Sequence, residues 1–168
     1  MKKYLLLILI AISAITLYLT TSVNKSIIID VAYNDLTLEA RQQVDCLAEN
    51  VYKEAGHEPE DGRNAVALVT INRTQDPRFP SSICSVVKQK TKQTCQFSWF
   101  CMKHIKMDKT SEAYKASLKA ALFVYANYEK IHDITQGALY YHADYVNPRW
   151  RGLVKTTQIG RHIFYKEL

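Results

Sequence analysis

Glycine and proline are scarce in this sequence, since its 168 residues include five Gly and four Pro. This scarcity excludes a collagen-like or low-complexity chain. Apolar residues make up 48% and charged residues 23%, which are globular proportions that exclude wholesale disorder. The length leaves room for one domain of roughly 100–200 residues. Tyrosine, by contrast, is abundant with eleven copies, which is typical of proteins that handle carbohydrate or acidic polymers.

Several catalytic signatures are also missing. The sequence contains no P-loop, no dinucleotide fingerprint and no Ser in a G-x-S-x-G setting. The five histidines form no H-x-x-x-H pair, and the cysteine spacings match no zinc ribbon or finger. We therefore expect neither a metal ion nor a cofactor.

Charge is absent between Lys3 and Lys25. Residues 4–19 are almost entirely Leu, Ile and Ala and follow Lys2 and Lys3, so they approach the roughly 17–25 residues that a transmembrane helix needs. Because no A-x-A site follows this run, an uncleaved signal anchor over residues 1–23 is favoured over a cleaved signal peptide. Residues 24–36 are predicted to be a tether, and residues 37–168 a single domain.

Four cysteines fit an exported protein with two disulfides: Cys46, Cys84, Cys95 and Cys101. Three pairings are possible. Cys95 and Cys101 flank a short aromatic segment, which favours a small closed loop and leaves Cys46 to pair with Cys84.

Charge is unevenly distributed over the rest of the chain. Residues 25–76 include five basic and ten acidic residues, whereas residues 77–168 include fifteen basic and six acidic ones. This asymmetry suits an enzyme whose carboxylates lie opposite a surface that attracts an anionic polymer. Nucleic acid and a bacterial cell-wall glycan are both such polymers. The alternative is that Lys88, Lys90 and Lys92 merely solvate one face.

Helices are predicted first along the chain. Thr37 is expected to cap a helix that ends at Gly56, and a second helix begins near Asp61. The apolar residues at helical spacing in the first of them are Leu38, Val44, Leu47, Ala48, Val51 and Ala55. The second helix is expected to bury Ala65, Val66, Val69 and Asn72.

The second half of the chain changes character. Ser81 or Ser82 opens a short third helix through Val87, a loop covers residues 90–107, and Thr110 caps a long helix that ends near residue 128. Strands are predicted over residues 138–143, 153–159 and 162–166, the last two joined at Gly160. Helices followed by a small antiparallel sheet indicate an α+β domain.

Glu54 is the first candidate for chemistry. It follows Val51 by three residues and Leu47 by seven, so it shares their buried edge of the first helix. Partial desolvation there would raise its pKa and keep it protonated as a general acid near neutral pH. The alternative is that Glu54 and Glu58 are exposed residues at i,i+4 spacing.

Two further segments carry groups that suit sugars. In residues 93–101, aromatic rings alternate with the amide of Gln96 and the hydroxyl of Ser98, and sugars stack on rings while their hydroxyls bind polar groups. The alternative is that Phe97 and Trp99 only fill the core. In the first strand, alternation places Tyr141 on one face and His142 on the other.

These segments together resemble the SleB-type cell wall hydrolases, the spore-cortex-lytic enzyme family. Residues 47–55 followed by Glu58-Pro59 resemble that family's Y-x-E-A-x-x-E-P start, and the resemblance covers residues 44–166. Two positions depart from the family pattern: Gly56-His57 replaces Arg-Gly, and Tyr140-Tyr141-His142 replaces His-Tyr-His. The other matching segments, in order, are Ala65-Val66-Ala67, Asn72-Arg73, Phe79-Pro80, Ile83-Cys84, Val86-Val87, Cys95-Gln96-Phe97-Ser98-Trp99, Ala138-Leu139-Tyr140-Tyr141-His142 and Ile159-Gly160-Arg161-His162-Ile163-Phe164-Tyr165.

The resemblance implies a lysozyme-like α+β fold, mostly helical with a small three-stranded antiparallel sheet near the C-terminus. It also implies a peptidoglycan-degrading enzyme in which Glu54 matches the catalytic glutamate. Residues 37–168 are then the catalytic domain. The expected substrate-binding residues are Glu58, Gln96, Ser98, Trp99, Tyr141 and His142.

Members of the family cleave the MurNAc–GlcNAc bond as lytic transglycosylases or as muramidases. A transglycosylase needs one carboxylate, whereas a hydrolase needs a second, for which Glu58 and Asp144 are candidates. We expect the single-glutamate route with Glu54. A wall amidase and a catalytically inactive glycan-binding module stay open as alternatives.

The expected partners are peptidoglycan and, through the N-terminal segment, the membrane. We expect a monomer that binds no nucleic acid. The domain would face the periplasm or cell wall from the inner membrane, or be secreted if the N-terminal segment is cleaved. A small anchored chain of this kind also suits a phage lysis enzyme.

Overall fold

The computed structural model describes residues 28–102 and 107–168. Within these residues the chain forms a single 3₁₀ turn at Tyr33–Asp35, followed by helices and then a sheet. The helices are α1 (Leu38–Ala55), α2 (Glu60–Gln75), α3 (Ile83–Val87), α4 (Ser98–Cys101) and α5 (Glu112–Asn127). The strands are β1 (Tyr140–Ala143), β2 (Leu153–Ile159) and β3 (His162–Glu167). The predicted α+β class, mostly helical with a small C-terminal sheet, is confirmed.

The predicted anchor over residues 1–23 lies outside the described residues. Across residues 28–102 and 107–168, none of the helices combines the length and the apolar character that crossing a bilayer requires. Of the predicted tether, residues 28–36 are described. There the backbone N–H and carbonyl of Ile29 bond to the side-chain amide of Asn127 at the end of α5, at 2.6 and 2.9 Å.

The first helix begins and ends where its sequence predicts. The hydroxyl of Thr37 accepts a hydrogen bond from the N–H of Ala40, and Gly56 is the C-cap. Leu47 and Val51 are fully buried on its inner side. Leu38, expected on the same buried stripe, is instead 74% exposed, because periodicity gives the direction of a side chain but not whether another element covers it.

The second helix, α2, is the centre of the domain. Ten of its sixteen residues are buried, so it is enclosed on more than one face and packs against α1, α3 and α5. Burial brings polar side chains with it, and those of Thr70 and Asn72 are hydrogen-bonded inside the core. The amide of Asn50 on α1 donates to the hydroxyl of Thr70 at 3.1 Å, which fixes α1 against α2.

The sheet has the strand order β1-β3-β2, and both pairings are antiparallel. β2 and β3 are joined at Gly160 as predicted, with φ of 56°, a left-handed conformation that favours glycine. In β3 the fully buried Phe164 lies opposite Tyr141 of β1 and packs against Ala65 and Val69 of α2. This contact attaches the sheet to the helical core.

Both disulfides have the predicted pairing. Cys46–Cys84 connects α1 to α3, and Cys95–Cys101, between cysteines six positions apart, closes a loop that contains α4. The segment over residues 90–107 was expected to be a loop. It contains a helical turn, α4, together with an antiparallel bridge between Lys90 and Cys95.

The long helix α5 begins one residue later than predicted. Ser111 is its N-cap, with its hydroxyl accepting from the N–H of Tyr114 at 3.2 Å. Thr110 lies instead in the turn before the helix, where its hydroxyl and its N–H donate to the Asp108 carboxylate at 2.6 and 2.9 Å.

Candidate active site

The Glu54 carboxyl group lies at the C-terminal end of α1, where the helix meets the sheet. It is half-buried, and the next residue, Ala55, is buried in the core. The phenolic O–H of Tyr141 donates to Glu54 Oε2 at 3.2 Å, across 87 residues of sequence. Glu54 therefore lies on the inner edge of the helix, as expected.

The surroundings of Glu54 raise its pKa above the ordinary value of 4.5. Burial is the largest cause, because desolvation disfavours the charged carboxylate. The hydrogen bond from Tyr141 and the positive charge of Arg73 both act in the opposite direction without cancelling it. Glu54 consequently keeps its proton to higher pH than a solvent-exposed glutamate, which suits a general acid.

We expect the Glu54→Gln variant to become more stable relative to wild type as the pH rises. The folded state holds a proton that the unfolded state loses near 4.5, so wild-type stability falls as the pH rises from there through the raised pKa. Glutamine does not ionise, so the variant lacks this decline. Melting temperatures of both proteins from about pH 4 to about pH 8 measure the gap. A gap that stays constant with pH would contradict the raised pKa.

Tyr141 is held rigidly behind Glu54. Its ring lies 5.2 Å from that of His162 and 5.7 Å from that of Phe164, measured between centroids. Its own pKa is raised well above the usual value, first by burial and then by the nearby Glu54 carboxyl, so it stays a hydrogen-bond donor. The pairing of β1 with β3 therefore positions the phenol of Tyr141 to donate to the carboxyl of Glu54.

Arg73 supplies a buried positive charge to the same site. Its side chain is 3% exposed, and its Nε donates to the carbonyl of Leu139 at 2.8 Å. The guanidinium lies over the rings of Phe79 and Phe97, at 5.4 and 5.2 Å. Its buried Nη1 has no hydrogen-bond partner among the described residues. Sequence reasoning did not assign this residue to the site, although it belongs to the Asn72-Arg73 segment that matches the family.

The loop closed by Cys95–Cys101 separates a core residue from two surface residues. Phe97 is 3% exposed and packs in the core, whereas Gln96 and Ser98 are exposed on either side of it. The side chains of Gln96 and Ser98 make no hydrogen bond with any residue that the structure describes. Their amide and hydroxyl are thus available to a ligand.

These groups meet in one depression of about 260 Å³, which we call the Glu54 cleft. Among the described residues that line it, Glu54 is the only carboxylate. Polar, aromatic and charged groups face each other across it. The lining residues are Glu54, Arg73, Cys95, Gln96, Phe97, Ser98, Tyr140, Tyr141 and Trp150.

Three residues expected at the substrate lie elsewhere. Trp99 donates from its indole Nε1 to Asn50 Oδ1 at 3.0 Å and packs against the core. Glu58 accepts from the backbone N–H of Arg161 at 3.1 Å, at the turn between β2 and β3. His142 lies on the other face of β1, stacked on Tyr165 with a centroid distance of 5.2 Å.

The second candidate carboxylate, Asp144, is also outside the Glu54 cleft. It forms an ion pair with Arg161 Nε at 3.6 Å. Tyr140 and Trp150 do line the cleft, although sequence reasoning did not assign them to it. Across residues 28–102 and 107–168, no group of three or more His, Cys, Asp or Glu side chains is placed to hold a metal ion.

Known proteins are similar to this chain in sequence and in fold. The chain is 32% identical over 120 residues to the spore cortex-lytic enzyme of Bacillus subtilis (strain 168), which is 70% of this chain and 35% of that protein. The chain therefore spans about a third of the length of this curated relative.

Two solved structures confirm the predicted lysozyme-like class. The catalytic domain of the Bacillus cereus SleB protein matches with a TM-score of 0.56 and 28% identity, over 79% of this chain and 94% of that one. The catalytic domain of the germination-specific lytic transglycosylase SleB from Bacillus anthracis matches with a TM-score of 0.55 and 29% identity, over 79% and 98%. Residues 57–165 match the family described as Cell Wall Hydrolase. This match covers more than half of the sequence, and the chain belongs to the cell wall hydrolase family.

Proposed function

We propose that this chain degrades peptidoglycan by cutting the MurNAc–GlcNAc bond as a lytic transglycosylase, with Glu54 as its one general acid and base. The observation that carries the proposal is the Glu54 cleft, in which a half-buried carboxyl of raised pKa faces sugar-compatible amide, hydroxyl and aromatic groups. Membership of the cell wall hydrolase family and the likeness to a lytic transglycosylase support it. The family match begins three residues after Glu54, so the role of Glu54 rests on its geometry.

In the first step the protonated Glu54 donates its proton to the glycosidic oxygen. The bond between that oxygen and C1 of MurNAc then breaks, and positive charge develops on the ring as an oxocarbenium-like centre. The leaving sugar departs with the proton as a free hydroxyl. Tyr141 holds the Glu54 carboxyl in place through its hydrogen bond during this transfer.

In the second step the Glu54 carboxylate accepts the proton of the C6 hydroxyl of the same MurNAc. The C6 oxygen bonds to C1 and closes a 1,6-anhydro ring, and Glu54 is protonated again. The positive charge of Arg73 stabilises the ionised carboxylate between the two steps. No water is consumed and no second carboxylate takes part.

The hydrolytic alternative requires a partner carboxylate, about 5–5.5 Å away in retaining enzymes or about 6.5–9.5 Å away in inverting ones. Glu58 and Asp144 are both engaged with Arg161 and do not line the Glu54 cleft. This arrangement favours the transglycosylase. If Glu58→Gln or Asp144→Asn abolished wall lysis as fully as Glu54→Gln, the hydrolase would replace it.

Mass spectrometry of fragments released from purified sacculi tests the proposal directly. A lytic transglycosylase leaves 1,6-anhydro-MurNAc ends, whereas a muramidase leaves reducing MurNAc ends that contain one added water. An amidase frees lactyl-muramoyl groups from the peptide stem, and a glycan-binding module releases nothing. Either of the last two results would overturn the assignment of a glycosidic bond.

We also propose that the domain works outside the cytoplasm, held at the membrane by residues 1–23. Two disulfides in a chain of this size favour an oxidising compartment. Fractionation of cells that express the full chain tests the anchor, since an anchored protein resists extraction by alkaline carbonate. Recovery in the soluble fraction at a lower mass would show instead that the segment is cleaved.

Removing the free polar groups of the Cys95–Cys101 loop should reduce turnover without unfolding the protein. Gln96→Ala and Ser98→Ala each remove about one hydrogen bond to the sugar, so kcat/KM should fall about 2- to 10-fold. The melting temperature should change by no more than a few degrees, because both side chains are exposed.

Gln93→Ala is the matched control for this prediction. It removes the same type of side chain from the segment directly before that loop, and Gln93 is exposed and does not line the Glu54 cleft. We expect it to retain wild-type turnover. If the three variants have the same activity, the loop supports the core and does not bind glycan.

A further inference from the structure

A second depression, which we call the sheet groove, lies on the face of the sheet that carries His142. It has a volume of about 460 Å³ and is lined by residues from all three strands and the loop that connects β1 to β2. Trp150 lines both the sheet groove and the Glu54 cleft. The two depressions therefore adjoin at one indole ring, which is 44% exposed.

Trp150 is held by other aromatic rings on the sheet. Its centroid lies 5.5 Å from that of His142 and 5.6 Å from that of Tyr165, in edge-to-face contacts, and 6.2 Å from that of Tyr140. Because three neighbours fix it while part of its surface stays exposed, Trp150 is a preformed surface for a flat apolar ligand.

The ring nitrogens of His142 are both used in supporting this cluster. Nδ1 lies 2.8 Å from the carbonyl oxygen of Ala143, which can only accept, so Nδ1 carries a proton. Nε2 is hydrogen-bonded to the hydroxyl of Tyr165 at 3.0 Å. His142 is thus committed to holding the aromatic rings in place and has no free nitrogen for a ligand.

The sheet groove also offers a polar group to a ligand. The amide of Asn147 lines the groove, is exposed, and makes no hydrogen bond with the residues that the structure describes. A fixed aromatic surface beside a free amide is the combination that sugars bind, with C–H faces on the ring and hydroxyl or N-acetyl groups on the amide.

We infer that the sheet groove binds sugar rings of the same glycan strand whose bond lies in the Glu54 cleft, with Trp150 as the ring between the two sites. This inference rests on the proposed function, since it assumes a polymeric glycan substrate. Continuity through Trp150 supports it: a strand that leaves the Glu54 cleft past this indole enters the sheet groove directly. Contacts at the remote sugars would hold the strand in register for the reaction.

The test is the length dependence of glycan binding, measured by calorimetry with peptide-free MurNAc–GlcNAc oligomers of about four and about eight sugars. The full chain with Glu54→Gln serves as the background so that strands are not cut. We expect the longer oligomer to bind at least about 10-fold more tightly, since each ring contact or hydrogen bond contributes a few-fold in affinity. Adding Trp150→Ala or Asn147→Ala should reduce this advantage by a few-fold each.

Tyr145→Ala is the matched control, because Tyr145 is an exposed aromatic of the same loop and lines neither depression. It should keep the full advantage of the longer oligomer. Asn147→Ala keeps the inference testable if Trp150→Ala does not fold, since an exposed amide contributes little to stability. Equal affinities for both oligomers, or an equal loss in Tyr145→Ala, would overturn the inference.

Failure of this inference and failure of the proposed function give different results. Wild-type protein that releases anhydro-muropeptides from sacculi but shows no length dependence would refute the sheet groove alone. Protein that releases no fragments, yet loses its preference for longer strands in Trp150→Ala, would refute catalysis and leave the extended binding site intact.

Discussion

Glu54→Gln is expected to lower the release of fragments from purified sacculi by about 10²–10⁴-fold, the usual contribution of a general acid. Glutamine keeps the shape of the side chain and can still accept from the Tyr141 hydroxyl, but it has no proton of suitable acidity to give to the glycosidic oxygen. Binding of the strand should change little, so the loss should appear in kcat more than in KM. Single-turnover assays on isolated glycan strands measure the two separately.

Glu49→Gln is the control for this substitution. It makes the same chemical change on the same helix, at a residue that forms a surface ion pair with Lys109 at 3.0 Å and does not line the Glu54 cleft. Its activity should match wild type, because surface ion pairs contribute at most about 1 kcal/mol to stability. A folded Glu54→Gln protein with near-normal lysis would remove Glu54 from the mechanism.

Removing one of the two disulfides is expected to lower mainly stability, and removing the other mainly activity. Cys46 and Cys84 are 38 positions apart in the sequence, and Cys95 and Cys101 are six positions apart. Chain-entropy arguments give about 4 kcal/mol for the long loop and about 2 kcal/mol for the short one. The Cys46→Ala/Cys84→Ala variant should therefore lose more unfolding free energy in urea than the Cys95→Ala/Cys101→Ala variant.

The loss of activity should follow the reverse order and be larger in the Cys95→Ala/Cys101→Ala variant. The short loop presents Gln96 and Ser98 to the Glu54 cleft, and opening it lets both side chains move before the sugar binds. Ordering them again costs about 0.5–1.5 kcal/mol each, so turnover in the short-loop variant should fall by about tenfold. The long-loop variant, assayed well below its melting temperature, should stay near wild type. Losses of activity that only follow losses of stability would contradict this separation.

Local chemistry made much of the fold predictable. Thr37 and Gly56 mark the ends of α1 because a cap and a helix stop act within one turn of the chain. Gly160 marks the turn between β2 and β3 because the turn has a left-handed φ, which glycine adopts readily. The predictions at Leu38 and Thr110 were wrong: Leu38 is exposed, and Ser111 is the N-cap of α5.

The candidate site was predictable only in part. The position of Glu54 on a buried helix edge follows from periodicity, and so does the opposition of Tyr141 and His142 across β1. Within the Cys95–Cys101 loop, sequence chemistry favoured Gln96, Ser98 and Trp99 alike. The structure directs the first two into the Glu54 cleft and the third to Asn50 in the core.

The sequence by itself determined the family resemblance, the order of the long helices and the strands, and the identity of the one carboxyl proposed as the acid, and it favoured the cysteine pairing. Only the tertiary structure decided what surrounds that carboxyl. Tyr141 is 87 residues from Glu54 along the chain, and Arg73 reaches the cleft from a different helix. The pKa of Glu54 depends on burial and on these two groups, and both burial and long-range contacts arise when elements pack, which no local pattern encodes.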